Sequence, residues 1–168
     1  MFSASIHHVH KNNPEDNPYA GFVLFQRVKS DTIVEKEIRL KHEDIDTALS
    51  EQNFLYSEIT TSNGKAEILQ KFNIKDVKYP LFLILDKHPS AYKKNDKALL
   101  IQWGKYKDAE IETMKNDLMT LVNFITDEET IKNILSNTNL TKWDKFLKLL
   151  KDHETLIKTG VTIATAVV

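Results

Sequence analysis

Cysteine is absent from the 168 residues. That excludes disulfides, thiolate catalysis and cysteine-ligated zinc or iron–sulfur centres together. Glycine and proline number only four each, and no stretch has the composition of a flexible linker or a low-complexity tract. Neither sign of charge is in excess: 23 Lys+Arg against 24 Asp+Glu leave a formal net charge of −1. A dedicated nucleic-acid binder carries a clear basic excess, so nucleic acid is not an expected partner. No apolar run reaches the roughly 18 residues that span a bilayer. Met1–His10 lacks the apolar segment of a signal peptide. A cytoplasmic protein without membrane contact is the expectation.

Catalytic signatures are missing as well. There is no Gly-x-Ser-x-Gly elbow to expose a serine nucleophile. Gly64-Lys65 lacks the earlier glycine of a phosphate loop. No catalytic residue, metal ligand or cofactor is therefore assigned.

What is present is enough for one core: 41% hydrophobic residues, with 28% charged. Residues 1–20 read as a polar N-terminal segment. Residues 21–126 read as one α/β domain, and residues 127–168 as a helical extension ending in an apolar tail. Gly21–Phe25 is a buried-strand pattern continuing toward Val28. Thr32–Leu40 fits no single period, since its β-branched residues favour a strand and its charges a helix start. His42–Gln52 is helical, with Ile45, Ala48 and Leu49 on one face. Asn53–Ile59 reads as a strand and Lys65–Phe72 as a short helix. Leu81–Leu85 is a continuous apolar run, as expected of a strand covered on both faces. Ala98–Trp103 returns as its hairpin partner, ended by Gly104. Asp108–Thr126 carries a helical stripe of Ile111, Met114, Leu118, Leu121, Val122 and Ile125. Glu128–Leu135 and Thr141–Lys151 follow as helices.

The order of elements, and the stretch Phe72–Leu85 in particular, resembles the thioredoxin family. Phe72, Ile74, Val77, Pro80 and Leu81–Leu85 fall in register with that family's approach to its cis-proline and the strand after it. Ile101-Gln102-Trp103-Gly104 before an amphipathic helix is similar to its last strand, glycine and closing helix. The resemblance covers roughly Gly21–Thr126. It implies a thioredoxin-like central mixed sheet flanked by helices, with the C-terminal helices added. The Cys-x-x-Cys pair is missing: Val28-Lys29-Ser30-Asp31-Thr32 stands in that region without a thiol, and hydroxyls cannot cycle to a disulfide. The resemblance therefore implies a redox-inactive binding module. In that fold the backbone before the proline pairs with an extended peptide as an added strand. Val77, Lys78, Tyr79 and Pro80, with Lys29 and Ser30 beside them, are the expected partner-binding residues. Lys78 and Tyr79 would offer main-chain groups and Tyr79 an aromatic wall. The plainer alternative is that Pro80 only shapes a turn and Tyr79 packs on the core.

Two rival readings stand beside this one. His7, His8 and His10 with Glu15 or Asp16 have donor types that could chelate a metal. Pro14-Glu15-Asp16 with Glu35-Lys36 loosely resembles the PD-(D/E)xK nucleases, which would make the chain a metal-dependent hydrolase or nuclease. The second rival is a structural or membrane-proximal assembly protein led by the C-terminal helices and the tail Leu156–Val168. An apolar end is unfavourable in water unless buried, so docking on its own domain or self-association is expected, with a homo-oligomer formed through residues 141–168. Trp103 and Trp143 are expected in the core.

Overall fold

The computed structural model describes residues 2–3, 19, 21–28, 32–126 and 162–168. Lys29, Ser30, the N-terminal histidines, Glu15, Asp16, Trp143 and the helices expected within residues 127–161 lie outside the described residues.

Ten elements of regular structure are described in chain order: β1 Phe2–Ser3, β2 Gly21–Gln26, α1 Ile33–Leu40, α2 His42–Glu51, β3 Phe54–Ile59, α3 Ser62–Lys71, β4 Leu81–Leu85, β5 Lys97–Gln102, α4 Ile111–Thr126 and β6 Thr162–Thr165. The chain is thus α/β, with a mixed six-stranded sheet in the order β1-β3-β2-β4-β5-β6. β1 and β2 each run parallel to β3. β4 is antiparallel to β2 and to β5.

Continuous apolar runs become the central strands because both faces of the sheet are covered. All of Leu81–Leu85 is buried, and each such side chain contributes about 1.5–3 kcal/mol of transfer free energy. Alternation along β2 sends Val23 and Phe25 to one face and Phe22 and Leu24 to the other. The first face packs on α1, α2 and α4 through residues such as Ile38, Ile45, Leu118 and Val122. The second packs on α3 through Ile68 and Phe72.

The ambiguous Thr32–Leu40 segment is helical. The Thr32 hydroxyl accepts from the Glu35 N–H (3.2 Å) and caps the first turn. Val34 and Ile38, one turn apart, are both buried. Capping and burial outweigh the β-preference of Thr32, Ile33 and Val34. With four glycines in the chain, asparagine takes over two helix ends. Asn53 follows α2 at φ 61° and Asn73 follows α3 at φ 48°, both in the left-handed region asparagine tolerates. Trp103 begins a short 3-10 turn after β5 rather than ending the strand. It is fully buried, with its ring stacked on Tyr106 and edge-on to Phe82, in keeping with a core role.

Within the apolar tail, Thr162–Thr165 are a strand of this same sheet. β6 pairs antiparallel with β5, Ala164 opposite Ala98, and Ala164 and Ala166 are buried against the α3 face. Residues 162–165 thus complete the sheet of the α/β domain.

Candidate functional site

β2 and β3 are parallel, so Gln26 and Ile59 finish at the same end of the sheet. β4 starts at that end, with Leu81 opposite Gln26, and β5 finishes there, with Gln102 opposite Leu81. The helices α1 and α3 begin there too, capped by Thr32 and Thr61. β2 lies between a parallel and an antiparallel neighbour. One end of the sheet thus gathers the ends of β2, β3 and β5, the start of β4 and the first turns of α1 and α3.

Arg27, just past β2, ties this end together. Its Nε donates to Glu58 Oε1 (2.8 Å) and a terminal nitrogen donates to Glu35 Oε1 (2.9 Å). Both glutamate side chains are buried, whereas that of Arg27 is 28% exposed. Burial pulls the guanidinium pKa down, but the bonds and charges of Glu58 and Glu35 outweigh it and raise the value. The Lys65 ammonium on α3 donates to the Arg27 carbonyl. Two cations and two carboxylates thus fasten α1, β3 and α3 to the end of β2. On the α3 face, the Gln26 amide and the Ser57 hydroxyl are buried with no hydrogen-bond partner among the described residues.

Beside this cluster runs the segment before β4. The Tyr79-Pro80 bond is cis. The main chain of Lys78 and Tyr79 lies flat on Gly104: a Cβ there would meet Tyr79 O at 2.0 Å and Lys78 C at 2.7 Å. The Gly104 N–H donates to the Pro80 carbonyl (3.2 Å). The Lys78 N–H donates to Gln102 Oε1 (2.8 Å), so this group, expected to be open to a partner, is already engaged by β5. The Tyr79 main chain makes no hydrogen bond among the described residues. Its side chain is half-buried against Val77 and the α3-face core, and burial pushes its hydroxyl pKa up. Val28 and Ile33, on the chain leaving β2 and entering α1, are exposed apolar residues, at 41% and 44%.

Of the expected binding residues, Val77, Lys78, Tyr79 and Pro80 form the segment that enters β4 at this end of the sheet. Of the residues of the PD-(D/E)xK pattern, Glu35 is ion-paired with Arg27 through Oε1, and Glu15 and Asp16 lie outside the described residues. Among the described residues, no group of three or more His, Asp or Glu side chains is placed to hold a metal ion. No helix among them is long and apolar enough to cross a membrane. Sequence reasoning missed Arg27, Glu58, Gln26 and Ser57. Their signal was polar residues interrupting apolar strands, Gln26-Arg27 after Phe25 and Ser57-Glu58 before Ile59.

A second polar pair lies at the start of α2. His42 Nδ1 is 2.7 Å from the Tyr56 hydroxyl, and the imidazole is edge-on to Phe25. Burial lowers the His42 pKa below its ordinary 6.5. The unfolded chain therefore binds this proton more readily than the folded one. The stability linked to it is complete above the unfolded value and is lost as pH falls from there toward the folded value. Melting temperature is expected to fall between about pH 7 and pH 5, with a shallower slope in His42→Gln. An equal slope in that variant would assign the effect elsewhere.

No protein-family model matches the chain, and no curated protein or solved structure matches it.

Proposed function

We propose that this chain is a thioredoxin-like, redox-inactive binding module that takes an extended segment of a protein partner against the Tyr79-Pro80 edge. The order β3-β2-β4-β5 supports the thioredoxin-like part of this reading. A helical connection joins parallel β2 and β3, a second helix leads to antiparallel β4, β4 and β5 make the hairpin, and α4 closes the unit. Without cysteine, thiol chemistry is excluded, which leaves the binding role of such a fold. The observation that carries the reading is the Tyr79 main chain, unbonded among the described residues at the end of the sheet where β2 stops and β4 starts. An extended segment pairing there gains main-chain bonds, and the tyrosine ring supplies an apolar wall. Assembly through the C-terminal residues 141–168 and a cytoplasmic setting belong to the same proposal.

The test is selection of a random linear-peptide display library against the whole chain. Selected peptides are expected to perturb the amide resonances of Val77, Lys78, Tyr79 and Leu81. Tyr79→Ala should weaken them about tenfold, as loss of one anchoring aromatic does, and Tyr79→Phe should retain most of the affinity. Binders that leave those resonances unmoved would overturn the assignment.

A further inference from the structure

We infer that the outer edge of β6 is where two copies of this chain pair, strand to strand. β6 ends the sheet order, so among the described residues no strand pairs with the side of it that faces away from β5. The Ala166 N–H donates to the Asp96 carbonyl, and the Ala166 carbonyl accepts from the Asn95 N–H, each at 2.8 Å. In an antiparallel pair the main-chain groups of alternate residues point to the same side. Those of Thr162 and Ala164 therefore point to β5 with Ala166, and those of Ile163 and Thr165 point outward. At Val167 the outward side is closed, because its N–H donates to the Lys71 carbonyl at the end of α3 (2.9 Å). Among the described residues the unpaired edge is thus short and defined, and Ile163 on it is 38% exposed. A groove of about 380 Å³ is lined by Asn73–Lys75, by Leu100 and Gln102 of β5 and by residues of β6.

Proteins protect such edges by keeping them short, with lysine, proline or a bulge, or with a covering helix or loop. Thr162–Val168 contains no charged residue and no proline. A second copy fits this edge better than a charged foreign strand. A two-fold axis at Ala164 sets Ile163 against Thr165 of the partner subunit, and the reverse. Every outward N–H then meets an outward carbonyl, no like charges meet at the axis, and the contact closes on itself as an isologous dimer must. This inference does not depend on the Tyr79 reading.

The experiment is sedimentation of the full chain across micromolar concentrations, with proline placed by register. Ile163→Pro and Thr165→Pro each delete only an outward N–H, a position where an edge strand accepts proline. Each is expected to weaken dimerisation at least about tenfold with the far-ultraviolet spectrum unchanged. Ala164→Pro deletes an N–H directed to β5 and should release β6 as well. Amide exchange on the unaltered chain gives an independent measure: protection at Ile163 and Thr165 should rise with protein concentration. A chain that is monomeric throughout would overturn the inference, and so would a dimer indifferent to both outward prolines. Protection at those two amides that ignores concentration would do the same.

Discussion

Replacing Arg27 by methionine is expected to cost the fold about 2–3 kcal/mol, read from urea unfolding midpoints. The methionine keeps the apolar stem but strands Glu35 and Glu58, whose side chains are 1% and 8% exposed. Removing one partner of a fully buried pair costs about 3–5 kcal/mol, because the remaining charge is left uncompensated. The Arg27 side chain is 28% exposed, and water screens part of the lost attraction, which places the loss below that range. Replacing both carboxylates as well, in Arg27→Met/Glu35→Gln/Glu58→Gln, should recover much of it. A fully solvated ion pair is worth roughly 0–1 kcal/mol. A loss within that range would mean that Arg27 does not fasten α1 and β3 to β2.

Gly104→Ala should be comparably severe, about 3 kcal/mol, the upper end for overpacking a closely fitted site. The reason is close approach. The added Cβ would stand 2.0 Å from Tyr79 O and 2.6 Å from Tyr79 C. These are backbone atoms, so no side-chain rotation relieves the contact, and residues 78–80 must move. Peptides selected on the unaltered chain should then lose affinity together with stability. Intact peptide binding in a destabilised Gly104→Ala chain would separate the glycine from the binding edge. Stability within about 0.5 kcal/mol of the parent, the range of an ordinary surface change, would show that the segment moves aside freely.

Both predictions concern contacts that local pattern does not disclose. Arg27 and Glu58 are 31 positions apart, and they meet because the parallel register sets Phe25 beside Glu58. Gly104 reads locally as a strand terminator. That its missing side chain makes room for Tyr79 follows from β4 and β5 lying side by side. The tail gives a similar lesson. Its apolar composition calls for cover, but the choice of β5 as its partner rests on a pairing more than 60 residues away in sequence. Thr32–Leu40 failed in the opposite direction, since β-branched residues masked a helix decided by a cap and two buried contacts.

From residue order alone came the elements whose signal is periodic and local. These are the apolar runs of β2 and β4, the stripe of α4, the hairpin to β5 and the exclusion of thiol chemistry. Tertiary structure alone decided the Arg27 network, the fit of Gly104 on Tyr79 and the docking of β6. Burial periodicity is written in neighbouring residues. Charge pairing, close approach and strand register arise between segments distant in the chain, and only their packing brings them into contact.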